Sequence, residues 1–329
     1  MDDATSQMLR SSVGQVLRGD GERRLSDRLG DLGWDEVIAD DFQGATAILF
    51  EEKGAMLGGG DALGPLLTRL LSGPLEDGGL GSASMILPLA LHPDHPSTVV
   101  KSGKLDVRGI ALSCPCGGSS VTPVRDDRGS ITLGRIGPDV TWECARIEGT
   151  DPDLGLRRVA AVVPAAHAEL ADPTVAAPAW NAAVAGGRWA LSLELVAIGR
   201  TVVRDAVDYT SVRKQYGRPI GTFQALQHRL ASAYASVVGA HRVGLEAADT
   251  GSEWAAVVAK ALAGRAAESA CTQAQQSYGA VGFTWEHRLH RYLRRTYLLD
   301  RLLGDWRTLE SEIGAAVMRQ AQAPRIGVL

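Results

Sequence analysis

Apolar residues recur along this chain at two different spacings, and the spacing changes twice. Between about Ser6 and Ala90, Leu9, Val13, Val16 and Leu17 form one face, and Leu63, Leu66, Leu67, Leu70 and Leu71 another, at the three-and-four-residue interval of an amphipathic helix. Gly58-Gly59-Gly60 lies between them without a following Gly-Lys-Ser/Thr, so it reads as a turn and not as a phosphate-cradling loop. From about His92 to Pro164 the apolar runs shorten (97–100, 104–112, 130–133, 156–163) and are separated by Gly, Pro and Asp clusters. That pattern predicts a small all-β module, a compact barrel or paired sheets, with 117–120 as a loop. Helical periodicity returns from about Ala176: Leu191, Leu195, Ile198, Val202, Ala206 and Tyr209 make one helix, and Leu226, Leu230, Tyr234, Val237 and His241 the next.

Punctuation sharpens the helical part. Gly217 can end the first of these helices, Pro219 cannot continue it, and Arg218 before the proline is pushed towards an extended conformation. Thr222 is the expected N-cap of the second helix, and Ser252 that of a third running to Tyr278. Two further helices are expected over 286–303 and 306–320. The predicted fold class is α+β, mostly α: an N-terminal helical domain (1–90), a middle β domain (91–172) and a C-terminal four- or five-helix bundle (173–329).

Composition narrows the possibilities. The 329 residues are 45% hydrophobic and 5% aromatic, a balance that suits small-residue helix packing over an aromatic-rich sandwich. A net charge of −4 gives no electrostatic ground for a nucleic-acid or anionic-membrane partner. The first residues lack a signal-peptide layout, and no uninterrupted apolar run approaches the roughly 18 residues of a membrane span, so a cytoplasmic protein without membrane contact is expected. Four scattered cysteines do not suggest a disulfide framework. Cys114-Pro-Cys116 is tighter than the usual zinc knuckle, with His92 and His95 the nearest other ligands, and no metal is expected there. Glu286, His287 and His290 likewise read as a surface network.

Two motifs stand out: Arg213-x-Gln-Tyr-Gly-x-Pro-Ile-x-x-Phe-Gln224 between the first two bundle helices, and Gln276-x-x-Gly-x-x-Gly-Phe-Thr-Trp-Glu-His287 after the third. Together, and in the order helices, β module, bundle, they resemble the acyl-CoA dehydrogenase family. The resemblance is close over the C-terminal half and covers the rest in outline. It implies an FAD-dependent enzyme subunit that converts an acyl-CoA to a 2-enoyl-CoA and passes electrons to an acceptor. In that family these motifs reach across a subunit interface to a neighbour's FAD. Carried over by position, Arg213 meets the pyrophosphate, Tyr216 packs at the adenine end with Gln215 and Gln224 beside it, and Gln276 approaches the ADP portion with the backbone at Gly279 and Ala280. A guanidinium fork suits phosphate oxygens, and small residues let backbone N–H groups come close. Ala280 stands where the family usually has a second Gly. Read without the family, Arg213 and Gln276 are polar helix-end residues and Tyr216 a core residue.

The family's catalytic carboxylate occupies one of two positions, which fall here near Gly187 and on Leu303 before Gly304; neither is acidic. The Thr-Glu-Pro and Gly-Ser-Asp segment that lines the flavin ring is also missing, 91–98 reading Leu-His-Pro-Asp-His-Pro-Ser-Thr. Glu194, about two turns beyond Gly187, is a weak candidate base, and Glu286 reads as a structural partner of nearby arginines. The pattern resembles the short, base-lacking subunit of actinobacterial α2β2 dehydrogenases that act on bulky, steroid-derived acyl-CoA, and implies a second acyl-CoA dehydrogenase subunit carrying the base. Two other readings stay open: a structural or regulatory partner with no part in FAD binding, and a homotetrameric dehydrogenase with a displaced base.

Overall fold

A computed structural model describes residues 1–19, 23–71, 83–126, 128–164 and 167–320. The N-terminal part is helical: α1 (Asp3–Arg18), α2 (Leu25–Gly30), α3 (Trp34–Asp40), α4 (Phe42–Met56) and α5 (Leu63–Leu70). Both apolar faces read from the sequence are buried, with Val13 and Leu67 fully enclosed. The Gly58–Gly60 turn is a turn, and its carbonyls serve the fold: the Lys53 ammonium donates to Gly58 O at 3.1 Å and to Gly60 O at 2.9 Å.

Eight strands form a single sheet in place of the expected barrel or paired sheets. They are β1 (Ser84–Leu87), β2 (Thr98–Lys101), β3 (Lys104–Ala111), β4 (Ser120–Arg125), β5 (Ile131–Ile136), β6 (Glu143–Arg146), β7 (Arg157–Pro164) and β8 (Ala168–Leu170). The order is β6-β7-β3-β1-β4-β5-β8. β1 and β2 share one lane between β3 and β4: β1 pairs with β4 at Ser120 and Val121, and β2 at Val124 and Arg125. Four strands, β1, β4, β6 and β8, lay outside the expected runs, and for two of them the physical reason is plain. β1 is buried at all four positions, so it shows no alternation, and it lies on the helical side of the expected boundary at residue 90. β4 carries Pro123, which argues against a strand interior, but it falls in the gap between the β1 and β2 pairings.

The bundle follows: α6 (Pro173–Val212), α7 (Gln224–Thr250), α8 (Glu253–Tyr278), α9 (Leu289–Arg301) and α10 (Trp306–Gln320). Ser252 caps α8 as predicted, accepting from Ala255 N at 3.3 Å. Thr222 does not cap α7: its hydroxyl donates to Pro219 O at 2.7 Å, closing a short 3₁₀ turn, and Phe223 takes the cap position without a side-chain hydrogen bond. At 40 residues α6 is long and apolar enough to cross a membrane, but its most apolar window is 89% buried against the rest of the protein. Its hydrophobicity is that of a core helix.

Candidate functional site

α6 links two places where chemistry was expected. At its C-terminal end Arg213 N donates to Tyr209 O at 2.9 Å, and the chain turns through β9 (Lys214–Gln215) and β10 (Arg218–Pro219), a minimal hairpin. Tyr216 and Gly217 are its two turn residues, with φ of 51° and 79°. A turn with both central residues at positive φ favours Asn-Gly, so a tyrosine there is strained. Its ring stands in the open, with 93% of the residue exposed.

The second motif comes to the same end of the bundle. Tyr278, the last residue of α8, packs edge-on against Tyr209 with ring centroids 5.0 Å apart, and meets the His287 ring at 4.1 Å. Arg288 and Asp205 pair across the same junction. Gly279 then takes φ 61° and ψ −137°, a conformation only glycine adopts readily. Ala280 has a negative φ, so the alanine stands in the glycine's place without strain. Gly282 has no room for a side chain, since a Cβ would lie 3.0 Å from Gln275 O and from the Tyr278 Cβ. Tyr209, Tyr278 and the Asp205–Arg288 pair, which hold the two motifs together, were missed by sequence reasoning; the two tyrosines lie at the helix ends beside the motifs, a signal that could have found them.

The motif side chains at this end are little engaged by the chain itself, Tyr216 meeting the Phe223 ring edge-on at 6.2 Å. Arg213, Gln215, Tyr216, Gln224, Gln276, Gly279 and Ala280 are all exposed. Among the described residues the Arg213 guanidinium and the Gln215, Gln224 and Gln276 amides have no hydrogen-bond partner. Beside them Arg218 stacks on Phe223 at 4.3 Å, and Phe283 and Trp285 stand about three-quarters exposed, at 74% and 75%. The N-terminus of α7 lacks a side-chain cap, leaving amide N–H groups and the positive end of a long helix free. A free guanidinium, uncapped helix amides, amide side chains and open rings suit a ligand carrying phosphates and a flat heterocycle.

The middle of α6 is the opposite. The two positions at which a catalytic carboxylate was sought do come together: a Cβ on Gly187 would lie 2.6 Å from Leu303 Cδ1, 3.0 Å from Leu67 Cδ2 and 3.3 Å from Leu63 Cδ1. Leucines from α5 and the turn after α9 fill this space. Leu303 keeps φ 61°, and its turn is gripped by cations: Arg188 Nε donates to Leu303 O at 2.9 Å, and the Lys260 ammonium to Asp300 O at 2.8 Å and Gly304 O at 3.3 Å. Burial outweighs the Asp300 charge and pulls Lys260 down to about 8.

Glu194 is sealed in the core. Its carboxylate pairs with Arg295 at 3.4 Å, and Arg295 also bonds Asp151 and donates to Gly58 O at 2.9 Å. Both Glu194 and Arg295 are essentially without solvent contact. Through Arg295 this carboxylate ties α6 to α9 and the Gly58 turn. Glu286 is exposed and makes no ion pair with an arginine among the described residues. A large cleft, about 1300 Å³, lies elsewhere, between the N-terminal helices and the sheet edge. It contains Asp61, pushed up to about 6 by burial while its carboxylate accepts from Gly64 N at 2.7 Å.

Comparison with known proteins agrees with this fold. Residues 178–318 match the family model described as acyl-CoA dehydrogenase, C-terminal domain. The chain is 34% identical over 195 residues to acyl-CoA dehydrogenase IpdE2 of Mycolicibacterium smegmatis, an alignment that takes in 58% of this chain and 60% of that protein. Among solved structures, a variant of the Tcur3481-Tcur3483 steroid ACAD superposes with a TM-score of 0.76 at 19% identity, covering 97% of this chain and 99% of the other. The ChsE4-ChsE5 complex from Mycobacterium tuberculosis gives 0.72 at 19% identity, covering 99% of each. These likenesses to solved structures establish the fold.

Proposed function

We propose that this chain is a member of the acyl-CoA dehydrogenase family and the subunit of a heteromeric, α2β2 acyl-CoA dehydrogenase that completes a neighbour's FAD site and supplies no base. The observation that carries this is the contrast along α6: an open, unpaired donor set at Arg213, and apolar packing where Gly187 meets Leu303.

Bound FAD would supply a hydride acceptor for the β-carbon of an acyl-CoA, with a carboxylate of the partner taking the α-proton and a 2-enoyl-CoA as the product. In this reading Arg213 pairs with the pyrophosphate, Tyr216 lies at the adenine end with Gln215 and Gln224 beside it, and Gln276 and the backbone of Gly279 and Ala280 hold the ADP portion. The exposed Phe283 and Trp285 become buried against the partner subunit. The partner carries the carboxylate, and an external acceptor takes the electrons. A bulky, steroid-derived acyl group is the substrate class, supported by the steroid enzyme and the two-protein complex among the structural neighbours.

Co-expression with the partner dehydrogenase tests this. The wild-type complex should hold FAD, and Arg213→Ala should cut the flavin-to-protein ratio at least about tenfold while the chain's own melting temperature stays put, since Arg213 supports nothing within the chain. Full flavin retention in the Arg213→Ala complex would leave a structural or regulatory partner. A chain that is yellow on its own and reduces an acceptor with acyl-CoA would make it a homotetramer with a displaced base.

A further inference from the structure

The sheet edge beside the large cleft carries a group of side chains that the flavin site does not use. Cys114 and Cys116 follow β3 in the loop leading to β4, and Cys144 sits on β6; their three sulfurs lie within 4.8 Å of one another. From the sequence, Cys114 and Cys116 were weighed against His92 and His95 and dismissed. The third thiol comes instead from a strand 28 residues on, brought back because β7 pairs with β3 on one side and with β6 on the other.

We infer that Cys114, Cys116 and Cys144 form a three-thiolate site for a thiophilic divalent cation, zinc by class, with its fourth position open to water. Metal–sulfur bonds of about 2.3 Å set tetrahedral thiolates about 3.8 Å apart, so side-chain rotation of about 1 Å brings these sulfurs into range. Three thiolates around a divalent cation carry one net negative charge, and Arg157 stands ready to offset it, with its Nη1 3.9 Å from Cys144 Sγ. A monovalent copper ion would leave two negative charges against that one arginine, and an iron–sulfur cluster calls for a fourth cysteine. On binding, each thiol releases its proton to solvent as its sulfur takes the metal; nothing is oxidised or reduced. Cys116 is exposed, so the open coordination position faces water. The bound ion would pin the Cys114 loop to β6 at the wall of the cleft, which Cys114 and Arg157 help to line.

Cobalt(II) titration of the full-length chain, fully reduced and free of oxygen, tests the site. One equivalent per chain should produce sulfur-to-cobalt charge-transfer absorption with the visible bands of a tetrahedral centre, and one equivalent of zinc should abolish both. Cys116→Ser and Cys144→Ser should each weaken cobalt binding at least about tenfold, whereas Cys271→Ser, altering the remote cysteine in α8, should leave it unchanged. The wild-type titration stands even if a variant fails to fold. Absence of the charge-transfer band in the reduced wild type would overturn the proposal, as would undiminished binding by Cys144→Ser. If the chain as isolated is two mass units light and the reduced form takes up no cobalt, the cluster is a disulfide pair with a bystander thiol.

Discussion

The two regions joined by α6 treat their polar groups in opposite ways. Around Gly187 and Glu194 the buried charges have partners among the described residues: Glu194 pairs with Arg295, Lys260 with carbonyls and Asp300, and Arg188 with Leu303 O. Around Arg213 the charges and amides are left open, and the backbone holds a tyrosine at positive φ with its ring outside. A protein stable by itself gains nothing from the second arrangement, because unpaired surface groups and turn strain contribute no stability. The difference separates a region whose polar groups are met within the chain from one whose polar groups stand open to solvent.

The largest effect that would break this comparison is expected at Glu194. Glu194→Gln leaves Arg295 with one fewer counter-charge in a dry setting, which costs about 3–5 kcal/mol when a buried pair loses a partner. It should appear as a lower urea midpoint with an unchanged slope, while the folded fraction still completes flavin binding in the complex. A cost under about 1 kcal/mol would mean that the core does not rely on this pair.

A smaller effect should follow pH. The Lys260 ammonium titrates at about 8 in the folded chain, below the 10.5 of a free lysine. Between those values the unfolded chain binds more protons, so stability should rise with pH from about 8 to about 10.5, by at most about 1.4 kcal/mol per unit. Below about 8 both states are protonated and the cost of the buried ammonium is constant. Subtracting the stability curve of Lys260→Met from that of the wild type should isolate this slope; a flat difference would place the titration elsewhere.

The smallest effect sharpens the contrast from the open side. Tyr216→Asn puts a residue that tolerates left-handed backbone into the hairpin turn, and should stabilise the isolated chain by up to about 1 kcal/mol. The same change should lower the flavin content of the complex. Gain in one measurement and loss in the other is expected if the strain serves a ligand; a gain in both would mean that the ring is dispensable.

Much of this was legible in the sequence because it depends on neighbours along the chain. The helical faces of α1 and α5, the Ser252 cap and the start of α10 at Trp306 follow from periodicity and capping residues. The motif residues from Arg213 to Gln224 were readable for the same reason, being contiguous and tied to a turn. Local signals failed where a remote partner decides the outcome. β1 has no alternation because both its faces are covered, and β4 tolerates Pro123 only because β1 and β2 leave a gap there. Thr222 looked like a cap until the 3₁₀ turn took its hydroxyl.

By itself the sequence determined the succession of helical, β and helical zones, the two motifs at 213–224 and 276–287 and the lack of an acid at residues 187 and 303, since each is a property of residue type and spacing. Only the tertiary structure decided what those residues face. It brought Gly187 against Leu303 and filled the space with leucine, closed Glu194 onto Arg295, joined the two motifs through Tyr209 and Tyr278, and set Cys144 beside Cys114 and Cys116. Each of these joins residues far apart in the chain or on different elements, and such contacts are made by packing, which spacing along one strand or helix does not encode.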